Sequence, residues 1–203
     1  MDVRAGEGGA GLVVFSDYVC PYCYLAERVL GRLRGEGVAI EYRALELRPA
    51  PVPLLNPRDE YLGRVWRETV YPLAAEWGVE IRQPPIQPRS RKAHEAARIA
   101  GSVGRFIEMH EAIFRAFFVE GRDIGRIDVL VEVGAGVGVD AGLLKVELDV
   151  DKYADAVAAD AALAAELGVT GVPTFLAGAE RLVGLQSYET LRGLIGGAPA
   201  GDR

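Results

Sequence analysis

Cysteine is scarce in this chain, with two in 203 residues. So few cannot knit a disulfide scaffold, and Cys20 and Cys23 lie too close together to close a useful structural loop. Histidine is equally scarce, with only His94 and His110. The cysteine pair is half a zinc site at most, and completing it would take both histidines, so no metal is expected. No apolar run approaches the ~20 residues needed to span a bilayer, and no membrane partner is expected. Positive charge is neither abundant nor concentrated: 23 Lys and Arg stand against 29 Asp and Glu, for a net charge of −6. Phosphate binding needs a concentrated basic face, so nucleic acid is not expected as a partner, whereas a small acidic ligand stays compatible. Met1 to Gly11 is polar and glycine-rich, without the basic start, apolar stretch and small-residue cleavage site of a secretory signal. The chain as it stands is therefore expected to be cytoplasmic. In a reducing compartment a close cysteine pair points to catalysis or metal binding before structure.

Half of the residues are hydrophobic, enough for a substantial core in one domain or in one domain carrying an insertion. Leu12 to Phe15 reads as a buried strand. Leu25, Val29, Leu30 and Leu33 then recur at helical spacing, Gly35 and Gly37 end that helix, and Val38 to Leu47 reads as a second strand. Pro49 to Pro57 is a proline-rich surface loop. From Asp59 to about Leu148 the pattern is helical, with Pro72 a break or kink and with Gly134, Gly136 and Gly138 separating two pieces. Phe106, Phe114, Phe117 and Phe118 are expected in the core. Asp151 to Leu167 is an alanine-rich helix stopped by Gly168. Pro173 opens a strand, Arg181 to Val183 pairs with it, and Ser187 caps a last helix. The order β–α–β, helical block, α–β–β–α is that of an α/β, thioredoxin-like fold with a large all-helical insertion. The expected division is 1–50 with 151–203 as a discontinuous thioredoxin-like domain, and 51–150 as the helical insertion.

The cysteines sit in Cys20-Pro21-Tyr22-Cys23, where a helix starts straight after a buried strand. A thiolate is the nucleophile, and the unpaired N–H groups and dipole of a helix N-terminus favour negative charge. Cys20 is thus expected to ionise and react first, and Cys23, one turn further on, to be more buried and to resolve the mixed disulfide. Pro21 suits an early helical position, where no N–H partner is needed. Gly171-Val172-Pro173-Thr174, downstream at a strand start, is a candidate cis peptide lying against the dithiol, with the Val172 main chain free to pair with a substrate strand. Glu27 is four residues after Cys23 on the same helix face and is a candidate to take or relay the Cys23 proton. His94 is a candidate polar contact at a substrate groove, and Asp17 reads as a turn or cap residue.

Ser16-Asp17-Tyr18-Val19-Cys20-Pro21-Tyr22-Cys23-Tyr24 resembles the active-site stretch of the DsbA family, in its FrnE-like branch. Gly168 to Phe175 resembles that family's cis-proline loop. Gly184-Leu185-Gln186 is similar to the Gly-Ala-Gln that opens the last helix in that branch, and Arg91 to Ala97 and Phe117 to Ile124 also resemble it. The resemblance implies a DsbA-like fold and oxidation, reduction or isomerisation of disulfides. It implies catalytic Cys20, Cys23 and Pro173, supported by Pro21, Tyr22, Val172 and Glu27, with His94 and Gln186 at a groove. No bound cofactor is implied beyond the redox-active Cys20–Cys23 disulfide. The partners would be disulfide-containing proteins or small thiols. Tyr22 stands where FrnE-like proteins carry Trp. Cys-Pro-Tyr-Cys is also the glutaredoxin dithiol, which makes glutathione a candidate co-substrate. Two other readings stay open: a glutathione-dependent isomerase or transferase of the kappa-like branch, whose members have Ser where this chain has Cys20, and a holdase-like binding protein using the helical insertion. Oligomeric state is left open.

Overall fold

Leu12 to Ser16 is a run of β-formers with almost no polar interruption, and it becomes the strand β1, nearly all of it buried. In the computed structural model, which describes residues 11–197, β1 lies inside a four-stranded sheet of order β2-β1-β3-β4. β2 (Ile40–Ala44) runs parallel to β1, so a crossover must join them, and helix α1 (Pro21–Gly35) supplies it. β3 (Thr174–Ala177) and β4 (Glu180–Val183) form an antiparallel hairpin, with β3 against β1. The register sets Val14 opposite both Tyr42 and Phe175. The N-terminal stretch read above as lacking a secretory signal lies, apart from Gly11, outside the described residues, as does the segment 198–203.

Between β2 and β3 the chain is helical: α2 (Glu60–Val65), a π-helical turn (Trp66–Val70), α3 (Tyr71–Trp77), α4 (Arg91–Ser102), α5 (Phe106–Phe118), α6 (Ile127–Gly136), α7 (Ala141–Asp149) and α8 (Ala154–Glu166). α9 (Tyr188–Ile195) follows the hairpin, and the Ser187 hydroxyl accepts from Thr190 N–H at 3.1 Å as its cap. Leu12, Val14, Leu30, Leu33, Phe175 and Leu191 share one core between the sheet, α1 and α9. A larger core joins the helical block directly to the cysteines: Tyr18, Cys20, Cys23 and Leu25 pack in one cluster with Trp66, Phe114, Phe117 and Phe118.

The structure corrects the sequence reading in places. The second strand is Ile40–Ala44, not Val38 to Leu47: Leu45 N–H makes the last bond to β1, to Ser16 C=O at 3.0 Å, and the Leu47 N–H then turns to the Asp17 carboxylate at 2.7 Å. The alanine-rich helix begins at Ala154: Asp151 adopts φ +52° and starts a turn instead. Pro72 neither breaks nor simply kinks its helix. It sits in the first turn of α3, and the turn before it is widened, with Tyr71 N–H donating to Trp66 C=O five residues back. A proline removes one helical N–H and crowds the carbonyl four residues earlier, and a π turn accommodates both. Phe114, Phe117 and Phe118 are fully buried, while Phe106 is only partly so. Gly168 ends α8 with φ +66°, the left-handed conformation a glycine enters without a Cβ penalty.

Candidate active site

β1 ends at Ser16, three residues turn, and Cys20 takes the N-cap position of α1 with extended backbone (φ −93°, ψ 115°). Its amide donates to Asp17 C=O at 3.1 Å, and its own carbonyl accepts from Cys23 and Tyr24 N–H at 3.1 and 3.3 Å. Pro21 fills the first helical position, where an N–H would have no partner. Both cysteines are free thiols, and the pair lies 3.6 Å apart. Both residues are buried, Cys20 at 3% and Cys23 at 1% relative exposure, so the pair is distinguished less by exposure than the sequence reading expected. It is distinguished chemically. Burial pushes the Cys23 thiol well above its ordinary range, and the adjacent Cys20 adds to the rise, so Cys23 holds its proton.

The loop Gly171–Thr174 faces Cys20. The Val172–Pro173 peptide is cis, and the Cys20 thiol lies 3.7 Å from Val172 C=O. Two bonds hold the loop: the Thr174 hydroxyl donates to Gly171 C=O at 2.7 Å, and Gly184 N–H donates to Pro173 C=O at 2.8 Å. The loop is thus tied to the end of β4, and the sheet sets its position relative to α1. Tyr22, in the first turn of the helix, is half-buried, and burial raises its phenol.

Glu27 has other partners than those expected of it. Among the described residues its carboxylate meets Arg34 Nη1 at 2.9 Å, Tyr42 Oη at 3.0 Å and His110 Nε2 at 3.2 Å, and neither cysteine. Burial works against its charge, but the His110 imidazole and then the Arg34 guanidinium outweigh that and hold the carboxyl below its usual range. His110 Nδ1 is 2.8 Å from Tyr18 Oη, so a buried chain Glu27–His110–Tyr18 runs behind the turn that carries Cys20. His94 is almost wholly buried and still lines a cavity beside β2. Its Nε2 is 3.4 Å from Asp17 Oδ1, and its ring packs on Tyr18 at 4.8 Å. Asp17, read as a turn residue, is fully buried and also accepts from Leu47 and Val19 N–H, pinning the active-site turn to the segment after β2. The Gln186 amide bonds back to Val183 and Gly184 C=O inside its own turn.

Sequence reasoning missed Tyr18, Arg34, Tyr42 and Asp160, and it weighed His110 only as a metal ligand. A weak signal existed: a chain with two histidines places one on each of two adjacent helices. Their convergence on Tyr18 depends on how α4 and α5 pack.

A dithiol at a helix N-terminus, a proline loop closing on it and a sheet of this order define a thioredoxin-type redox protein. The chain belongs to the DsbA-like thioredoxin domain family, whose model matches residues 11–196. It is 35% identical over 171 residues to an uncharacterized Bacillus subtilis protein, YwbO, covering 81% of this chain and 85% of that one. Among solved structures it resembles a Streptomyces coelicolor protein described as a probable DsbA oxidoreductase (TM-score 0.80, 24% identity, 96% of this chain and 93% of that one). It also resembles the cytosolic disulfide reductase DsbM of Pseudomonas aeruginosa, solved with glutathione (TM-score 0.67, 22% identity, 91% and 92% covered). At these identities the two structures speak for the fold. Among the described residues no helix is long and apolar enough to cross a membrane.

Proposed function

We propose that the protein is a cytoplasmic dithiol–disulfide oxidoreductase in which Cys20 exchanges with substrate and Cys23 resolves. The observation that carries this is the pair's geometry: Cys20 at the N-cap of α1, Cys23 buried 3.6 Å away, and the Val172 carbonyl against the Cys20 sulfur. The Cys20 thiolate attacks one sulfur of a substrate disulfide. The S–S bond breaks, and the leaving sulfur departs as a thiolate that takes a proton from solvent. Cys23, once deprotonated, attacks the Cys20 sulfur of the mixed disulfide and releases the second substrate thiolate. Two electrons pass to the substrate, and the Cys20–Cys23 disulfide stores the oxidation. Every step is reversible, so the same groups oxidise a dithiol substrate when the protein starts as the disulfide.

In this reading Pro173 and Val172 form the wall along which the substrate backbone lies, Pro21 and Tyr22 shape the helix end, and Asp17 fixes the turn. His94 is bonded to Asp17, and Gln186 within its own turn. The thioredoxin-like part is 1–50 with 151–203, and the helical part 51–150 covers the dithiol. Tyr22 between the cysteines supports glutathione as co-substrate, and a neighbouring cytosolic reductase has been solved with that tripeptide. Cys20, where kappa-like isomerases have Ser, argues against the isomerase reading. The FrnE-like branch remains part of this proposal.

A Cys23→Ser variant tests it. It should form a mixed disulfide at Cys20 that cannot resolve, visible by intact mass as a glutathione adduct after exposure to glutathione disulfide, or as dithiothreitol-sensitive high-mass bands from cells. Cys20→Ser should trap far less. If folded Cys23→Ser traps neither partner, Cys20 is not the attacking thiol and the proposal fails.

A further inference from the structure

Cys23 must lose a proton before it can resolve a mixed disulfide, yet burial holds that proton on it. The two nearby carboxylates are engaged elsewhere. Glu27 is bound to Arg34, Tyr42 and His110. The Asp17 carboxylate is taken by His94 and by the Val19 and Leu47 amides.

The pleat of β1 brings another polar group to the thiol. Side chains alternate along a strand. Leu12 and Val14 pack with Ala26, Leu30 and Leu33 of α1, while Phe15 packs with Ala164 of α8. Ser16 is next on the α1 face. The chain turns back between Ser16 and Cys20, so the end of β1 lies against the first turn of α1, which carries Cys23. The Ser16 hydroxyl and the Asp17 N–H are both within hydrogen-bonding reach of the Cys23 sulfur, and both oppose the effect of burial on it. The hydroxyl differs from the amide in that it also accepts, so it can pass a proton on. Ser16 has a second neighbour. A cavity of about 500 Å³ lies beside β2, against α4 and α5, and Ser16 lines it whereas neither cysteine does. Exposed Glu41, Gly101 and Ser102 among its lining residues open it to solvent. Arg43 and Arg98 add polar wall, and a space of this size and polarity holds water. Ser16, at 6% exposure, therefore stands between a buried thiol and solvent.

We propose that Ser16 is a catalytic residue of the resolving step, passing the Cys23 proton to water in the cavity beside β2. The Cys23 S–H gives its proton to Ser16 Oγ while the Ser16 O–H gives its own to a water. The hydroxyl is left donating to the thiolate it has made. That thiolate attacks the Cys20 sulfur, the bond from Cys20 to the substrate sulfur breaks, and the substrate leaves as a thiolate that solvent protonates. The role rests on the oxidoreductase reading above and assigns the proton of its second step.

Single-turnover reaction of the reduced full-length protein with glutathione disulfide tests this, with acid quench and intact mass. Attack by Cys20 is read in the Cys23→Ser background, and resolution with both cysteines present. Ser16→Ala should leave attack unchanged and slow resolution at pH 7 by about tenfold or more, the worth of a hydrogen bond to a charged group, so the glutathione adduct accumulates. The curve of resolution rate against pH should move to higher pH. Ser16→Thr and Ser16→Val share a shape that suits a strand and differ by the hydroxyl, so they carry the test if Ser16→Ala does not fold. Thr should resolve like the unaltered protein, and Val like Ala. Resolution unchanged in Ser16→Ala, attack slowed as much as resolution, or Thr no faster than Val would each overturn the proposal and leave the oxidoreductase reading standing. A folded Cys23→Ser protein that forms no mixed disulfide with glutathione or with protein would overturn that reading and this role with it.

Discussion

Asp160 is the residue whose loss should reveal most about how the two parts of the chain are joined. It sits on α8 at 1% exposure and accepts from three donors on two other elements. Arg43 Nη1 and Ala44 N–H of β2 donate at 3.0 and 2.9 Å, and Arg98 Nη2 of α4 donates as well. Asp160→Ala removes three charge-assisted bonds. The two guanidiniums regain part of that cost because they are 31% and 27% exposed and can turn to water. The Ala44 amide cannot: it is in a buried strand residue, and an unmet buried N–H costs about 1–3 kcal/mol. Breaking a fully buried pair costs about 3–5 kcal/mol, so partial exposure of the arginines places Asp160→Ala near the lower end, at about 3 kcal/mol. Asp160→Asn keeps an acceptor for Ala44 N–H but not the charge, and should lose about half as much. Urea unfolding followed by circular dichroism gives both numbers, read as shifts in midpoint at unchanged slope. A loss below about 1 kcal/mol for Asp160→Ala, or equal losses for Ala and Asn, would refute the claim that this carboxylate clamps α8 and α4 to the sheet edge.

Two further predictions address the buried charge and the helix packing. Glu27 has a folded-state pKa held below its unfolded value, so its contribution is fully present above the unfolded value of about 4.3 and is lost as pH falls through the folded one. Glu27→Gln should therefore destabilise at pH 7, and the difference from the unaltered protein should shrink below about pH 4; a penalty constant from pH 7 to 3 would contradict the ion pairing with His110 and Arg34. In α6, a Cβ at Gly134 would collide with Leu144 Cδ1 and stand 3.5 Å from Met109 Sδ, both in fully buried residues, so Gly134→Ala should lower stability by about 1–2 kcal/mol despite its better helix propensity. Gly136→Ala in the same helix meets nothing within 4 Å and should be neutral or stabilising, so equal melting shifts for the two would show that packing is not what excludes the side chain.

What the sequence by itself determined is what depends on neighbours along the chain. The apolar run Leu12 to Phe15, the helical spacing from Leu25 to Leu33, Gly168 after an alanine-rich helix and Ser187 before the last one each act through local backbone preference, and each element forms at or near the expected place. Cys20 at the helix start is of this kind, because a strand, a short turn and Pro21 leave it little else to be. The tertiary structure decided where side chains point once helices are packed. Glu27 and Cys23 share a helix, yet the carboxylate turns to His110 on α5 and Arg34, since a buried charge goes where opposite charge and donors are brought to it. His94 is held by Asp17, 77 positions earlier in the chain, a contact no local pattern announces. The cavity beside β2 had no sequence signal at all. Its lining comes from Ser16 and Tyr18 at the end of β1, from β2, α4 and α5, and from Tyr153, and only the docking of the helices on the sheet edge gathers them around one space.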